Sequence, residues 1–283
     1  QPVLHRLRTG RRSEEGVMAA LVVIPARYAS TRYPGKPLVG LRGAGGEARS
    51  LIRRTWDAAM QVGGDTRVVV ATDDERIRKE AEGFGAEVVM TSSTCRNGTE
   101  RCAEAHAALG GGHEIIVNLQ GDAALTPPWF VEDLVRALAS HPTAKVATPV
   151  LRTEGAALAR LVNDRREGRI GGTTTVFDRN AIALYFSKEV VPHTSNAYPD
   201  AAETPVFHHV GVYAYRAGAL ADYSRWPMGP LERAEGLEQL RFLEQGVPVL
   251  CVEVDAKGRE FWELNNPEDV AVIEAMLARM GIA

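Results

Sequence analysis

Cysteine is scarce in this chain of 283 residues: Cys95, Cys102 and Cys251 are odd in number, widely spaced, and form no Cys-x-x-Cys pair. Neither a disulfide framework nor a zinc cluster is indicated, and a reducing cytoplasm is the expected compartment. Long apolar runs are missing too. Nothing approaches the roughly 18 residues of a membrane span, so no membrane partner is expected. Residues 1–17 are Arg-rich and lack the apolar stretch of a secretory signal. Met18 directly precedes the first strand pattern and is the expected start, with residues 1–17 an unordered extension. Positive charge is not in excess: the net charge of −3 argues against nucleic acid as a partner and leaves local cationic clusters to small anions.

What is present is ordinary globular material, 45% hydrophobic and 24% charged, enough for one large α/β domain. Strand patterns at residues 21–25, 67–72, 86–90 and 114–119 alternate with helix patterns at 50–60, 75–83, 98–109 and 128–140. That alternation predicts a Rossmann-like, mostly parallel sheet with helices on both faces. A Gly-rich loop is expected at 40–46, and the 98–109 helix is expected to start at Thr99. The second half changes character. Strand patterns at 145–151, 173–178 and 206–215 lack regular crossover helices between them, which predicts an antiparallel extension used for dimerisation. An acidic helix at 231–245, a last strand at 247–254 and a helix at 267–280 complete the expectation. The whole reads as a single domain over 18–283, with a small insertion and dimerisation lobe around 152–230.

One loop stands out. After the first strand come Arg27, Ser30, Thr31, Arg32 and Lys36, three cations and two hydroxyls within ten residues, with Pro34 and Gly35 to shape the turn. At the C-terminal edge of a sheet such a loop suits a polyphosphate, although a basic surface turn has the same composition. It fits neither G-x-x-x-x-G-K-[ST] nor G-x-G-x-x-G. Asp122, following a second buried strand, faces the same crevice and could hold Mg²⁺ or simply cap a helix. Thr99 and Arg101 open a helix where an anion or base could sit, or where capping alone explains them. His208 and His209 point to opposite faces of one strand, so they do not share a metal; one could contact an acid or serve the core. Glu232, Glu235 and Gln239 fall on one face of the acidic helix, suited to sugar hydroxyls or to solvent.

Taken together, these segments resemble the CMP-Kdo synthetase (3-deoxy-manno-octulosonate cytidylyltransferase) family. The marks are Ile24-Pro-Ala-Arg27-x-x-Ser30-Thr-Arg32-x-Pro-Gly-Lys36-Pro-Leu, Ala71-Thr-Asp-Asp74, Gly98-Thr-Glu-Arg101, Asn118-x-Gln-Gly-Asp122, Leu184-Tyr-Phe-Ser187, Gly211-x-Tyr-x-Tyr-Arg216, Pro230-Leu-Glu232 with Leu237-Glu-Gln-Leu-Arg241, and Asn266-Pro-Glu-Asp269. They occur in family order over residues 20–280. The resemblance implies a nucleotide-diphospho-sugar transferase-like fold and a Mg²⁺-dependent cytidylyltransferase. It would be a cytoplasmic homodimer in lipopolysaccharide biosynthesis. CMP would pass from CTP to the anomeric hydroxyl of a 2-keto-3-deoxy sugar acid, Kdo by default, with release of pyrophosphate. It implies catalysis by Lys36, Arg27 and Asp122, with Arg27, Ser30, Thr31, Arg32, Lys36, Thr99 and Arg101 on the nucleotide. Gln120, Tyr185, Lys188, His209, Glu232, Glu235 and Gln239 would lie on the acid, and Asp122 and Asn265 on the metal. Against the family pattern, Ala123 replaces Glu, Lys188 replaces Arg, Cys95 replaces His, Asn97 replaces Ser, and Asn265 replaces a metal-binding Asp. Those changes leave open a different acidic acceptor, including a modified ulosonate or a phosphonate, or a non-catalytic nucleotide-binding paralogue. Glu263, Glu268 or Asp269 could supply the charge missing at Asn265.

Overall fold

The apolar run after Ala19 becomes β1 (Ala20–Ala26) in a computed structural model that describes residues 19–29, 33–170, 172–194, 198, 200–259, 262–264 and 266–283. In chain order there follow β2 (Gly40–Arg42), β3 (Ala48–Ser50), α1 (Leu51–Ala59), β4 (Thr66–Thr72), α2 (Glu75–Gly83), β5 (Glu87–Met90), α3 (Gly98–Ala108), β6 (Ile115–Leu119) and α4 (Pro128–Ser140). The second half adds β7 (Val146–Arg152), α5 (Gly155–Arg166), β8 (Thr173–Phe177), β9 (Ala183–Ser187), β10 (Phe207–His209) and β11 (Val212–Arg216). It ends with α6 (Ala217–Tyr223), α7 (Pro230–Glu235), α8 (Leu240–Glu244), β12 (Val249–Glu253) and α9 (Asp269–Arg279). The expected extension at residues 1–17 lies outside the described residues.

Local chemistry sets the helix starts. Ser50, Asp74 and Asn97 each accept a backbone N–H of the first turn with their side-chain oxygen, the arrangement that satisfies otherwise orphaned donors. Asn97, not Thr99, therefore opens α3.

The main sheet has ten strands in the order β5-β4-β1-β6-β11-β7-β10-β8-β9, with β12 beside β7. β5, β4, β1 and β6 run parallel, while β11, β10, β8 and β9 pair antiparallel. The Rossmann-like expectation with an antiparallel extension holds. Apolar residues of α1, α2 and α4 pack on one face of the sheet and those of α3, α6 and α8 on the other. Because β4 and β6 flank β1 on opposite sides, the chain reverses its winding between β1 and β6, the switch point where such sheets open a crevice.

Four expectations are corrected. Residues 206–215 do not form one strand: the chain breaks at Val210-Gly211, and its neighbour opposite β7 changes from β8 to β6. A crossover helix, α5, does stand between β7 and β8; its Leu158 and Leu161 are buried, but charge dominates the rest. The Gly-rich stretch at 40–46 is not a plain loop, since β2 and β3 pair as a hairpin. The acidic helix at 231–245 is two short helices, because Gly236 ends α7 in the left-handed region at φ 64°.

Two glycines give contrasting expectations. A Cβ on Gly121 would lie 2.8 Å from the Pro25 carbonyl oxygen, whereas one on Gly83 would meet nothing within 4 Å. Urea unfolding should find Gly121→Ala destabilised by about 1–3 kcal/mol and Gly83→Ala stabilised by about 0.5–1 kcal/mol. Equal effects of the two would contradict the packing described.

Candidate active site

The loops after β1 and β6 meet at the switch point. Gly35, in the left-handed region at φ 72°, donates its N–H to the Tyr28 carbonyl at 2.9 Å and closes the first loop. The Arg76 guanidinium covers the outer face of the Tyr28 ring at 3.3 Å from its centre. Lys36 then begins a 3₁₀ turn, Lys36–Leu38. Its Nζ donates to Asp122 Oδ2 at 2.6 Å, and both side chains are largely shielded from water. Asp122 is brought there by Gly121, whose close approach to β1 admits no side chain and whose carbonyl accepts from Thr55 Oγ1 at 3.1 Å. Arg27 follows β1 directly and is exposed. Ser30, Thr31, Arg32 and Asn265 lie outside the described residues.

A second group of side chains surrounds the start of α3. Glu238 accepts from the Thr99 N–H at 3.1 Å and from Gln120 Nε2 at 3.2 Å. Burial raises its pKa above the usual carboxylate range. Thr99 Oγ1 shares a hydrogen bond with the Tyr215 hydroxyl, so Thr99 is buried beneath Glu238. Arg101 is also buried, donating to Thr91 Oγ1 and pairing with Asp73 at 3.3 Å. It ties α3 to the ends of β4 and β5.

The residues assigned to the acid separate into three situations. Glu235 accepts from Ser187 Oγ at 2.7 Å, the Lys188 N–H at 2.9 Å and the Tyr185 hydroxyl at 3.3 Å. This joins α7 to β9. His209 and Gln239 are buried, and His209 Nε2 and Gln239 Nε2 have no hydrogen-bond partner. Asn118 Oδ1 and Nδ2 are likewise buried and unpartnered next to Gly98, so buried polar atoms face the start of α3 without a protein partner. Glu232 is the correction. The break at Gly236 removes it from the face of Gln239, and both its oxygens accept from Arg241, Nε and Nη2, at 2.6 Å each. It is structural.

Of the carboxylates near Asn265, Glu263 stands across Gly211 from Gln120: a Cβ on Gly211 would lie 3.7 Å from both side chains. Asp269 instead accepts from Trp262 Nε1 and the Asn266 N–H. Among the described residues, no three His, Cys, Asp or Glu side chains group as a metal site. Two of the departures noted above, Ala123 and Cys95, are accommodated locally. Ala123 and Ala124 are packed in the core, and Cys95 donates to Glu104 at 3.0 Å, its thiol pushed up to about 12 by burial and that carboxylate.

Sequence reasoning missed Glu238 and Arg241 as site-building residues. The available signal was two charges, Glu238 and Arg241, set among Leu237, Leu240, Phe242 and Leu243, since charges are seldom buried unpaired.

Burial lowers the His209 pKa to about 3, while an unfolded imidazole takes its proton near 6.5. The unfolded state therefore binds more protons below about pH 6.5, and stability should fall as pH drops from there toward 3. Between pH 7.5 and 5, His209→Asn should remove up to ~2 kcal/mol of that loss in urea titrations. Identical pH slopes for variant and parent would contradict it.

With this geometry in view, comparison with known proteins is direct. The profile of the family described as Cytidylyltransferase matches residues 21–254. A 3-deoxy-manno-octulosonate cytidylyltransferase of Maricaulis maris is 42% identical over 264 residues, 93% of this chain and 99% of its own. One from Zea mays is 39% identical over 99% of this chain and 86% of its own. A solved CMP:2-keto-3-deoxy-manno-octonic acid synthetase complexed with CTP superposes with TM-score 0.78 at 32% identity, covering 93% of this chain and 99% of that one. The fold extends to 4-diphosphocytidyl-2C-methyl-D-erythritol synthase of Anaerococcus prevotii, with TM-score 0.55 at 14% identity, covering 92% and 96% of the two chains. The chain belongs to the cytidylyltransferase family that contains the 3-deoxy-manno-octulosonate enzymes.

Proposed function

We propose that this chain transfers CMP from CTP to the anomeric hydroxyl of 3-deoxy-manno-octulosonate (Kdo), releasing pyrophosphate. The observation that carries this reading is the Lys36–Asp122 pair at the switch point, in a chain that shares 42% identity with a Kdo cytidylyltransferase over nearly its full length. The anomeric oxygen bonds to the α-phosphorus as the α–β anhydride bond breaks. Lys36 and Arg27 neutralise the charge that grows on the departing pyrophosphate. Thr99 and Arg101 set the start of α3 beside the nucleotide. Gln120, His209 and Gln239 bring polar atoms to the acid from the β6, β10 and α8 sides. Glu235 orders Tyr185 and Lys188 at its edge. Alignment of nucleophile, phosphorus and leaving group acts together with that charge neutralisation to supply the acceleration.

Asp122 fits Mg²⁺: the ion takes one or two carboxylates, completing its shell with water and substrate phosphates. Bound there, it would screen the phosphate oxygens and make the α-phosphorus more electrophilic. Lys36 would move from Asp122 to a phosphate as the nucleotide enters. Glu263, beside Gln120, would offset the charge absent at Asn265.

A different acidic acceptor is the second reading. Lys188 favours it, since an ammonium cannot grip a carboxylate through two parallel bonds as the family's Arg does. The 42% identity with a 3-deoxy-manno-octulosonate cytidylyltransferase over nearly the whole chain favours Kdo. Location in the cytoplasm, in lipopolysaccharide biosynthesis, accords with three free thiols. Dimer formation accords with Leu184, 64% exposed on the edge strand β9.

Pyrophosphate release from CTP and Mg²⁺ should be rapid with Kdo and slow with other sugar acids and phosphonates. Lys36→Ala should raise the KM for CTP, and Asp122→Ala should lower kcat by about 10²-fold or more, the size expected for a lost electrostatic group. Wild-type turnover in both variants would remove the site, and release only with another acid would favour the second reading.

A further inference from the structure

We propose that Arg241 is a positioning residue that couples nucleotide binding to acid binding. The inference rests on the cytidylyltransferase reading above. Arg241 is completely buried, and its guanidinium spans two elements. Nε and Nη2 grip Glu232 of α7, while Nη1 donates to Glu100 Oε1 of α3 at 2.9 Å. Its plane lies over the Tyr223 ring at 4.1 Å.

Each carboxylate has a neighbour that serves a substrate. Glu100 stands between Thr99 and Arg101, the nucleotide residues of the first turn of α3. Glu232 is one helical turn from Glu235, which organises Tyr185, Ser187 and Lys188. Two further links run parallel to the ion pairs. Asn97 Nδ2 donates to the Tyr223 hydroxyl, which donates to the Glu238 carbonyl, and the Thr99 N–H donates to the Glu238 carboxylate. The start of α3 and the α7–α8 segment therefore share one buried polar network.

Opening the Arg241–Glu100 contact would strip a buried guanidinium N–H of its charged acceptor and leave Glu100 to Arg96 alone, which already donates to it at 2.7 Å, so α3 and the α7–α8 segment move together. An acid that orders the α7–α8 segment also orders the start of α3, and the nucleotide then meets a site whose ordering is already done. The linkage is reciprocal. Arg rather than Lys is required, because only a planar fork reaches both carboxylates at once.

The test is calorimetry with α,β-methylene-CTP, which cannot release pyrophosphate, measured alone, with saturating Kdo, and against Kdo alone. In the wild type Kdo should lower the Kd for the nucleotide by about 5-fold or more, the lower end of measured couplings. Arg241→Lys and Glu100→Gln should each bring that ratio close to one while both ligands still bind separately. Glu100→Gln leaves the Arg241–Glu232 pair in place, so it stays informative if Arg241→Lys does not fold; far-ultraviolet circular dichroism checks both. A ratio of one in the wild type, or an undiminished ratio in folded Glu100→Gln, overturns the inference. Absence of any Kdo binding would instead overturn the functional reading, and this inference with it.

Discussion

Pro25, next to the end of β1, is wedged between two glycines, one with little room for a side chain and one with none. A Cβ on Gly98 would lie 3.3 Å from its ring, and one on Gly121 would lie 2.8 Å from its carbonyl oxygen. These two contacts set the start of α3 against one face of the sheet edge and the turn after β6 against the other. Everything proposed for catalysis hangs from them: Thr99 and Arg101 follow Gly98, and Asp122 follows Gly121. The switch point of the sheet supplies the crevice, but close backbone approach at Pro25 determines where its walls stand.

The second organising feature is charge placed inside the protein. Arg241, Glu232 and Glu100 form a buried trio, and such groups seldom add net stability over apolar side chains of the same size. Their position between the two halves of the site gives a different reason for keeping them. The same logic applies to the unpartnered atoms of Asn118, His209 and Gln239. Desolvated polar groups without partners cost free energy, and they collect on the face where two substrates would meet.

Much of this was legible in the chain. β-Branched runs ending in Pro or Gly, and cap residues such as Asp74, marked the parallel half of the sheet closely. That Lys36 and Asp122 face one crevice was readable because each follows a buried strand, and strands of one parallel sheet deliver their loops to the same edge; their direct contact was not. The antiparallel half was less legible. β9 carries an exposed Leu184, the 206–215 run changes its pairing at Gly211, and α5 shows little amphipathic pattern; tertiary contacts decide all three. Glu232 misled because an i, i+3, i+7 pattern presumes an unbroken helix, and Gly236 breaks it. Residues near one another only in space, such as Arg241 and Glu100, left no periodic trace at all.

In the proposed function, Lys36 rests against Asp122 until the nucleotide arrives, then passes to a phosphate and leaves the carboxylate to the metal ion. A crystal structure with α,β-methylene-CTP and Mg²⁺ tests it most directly. Lys36 Nζ should lie on a phosphate oxygen and Asp122 should face the ion, with the 2.6 Å contact between them broken. Nucleotide bound elsewhere, with Lys36 and Asp122 still paired, would contradict it.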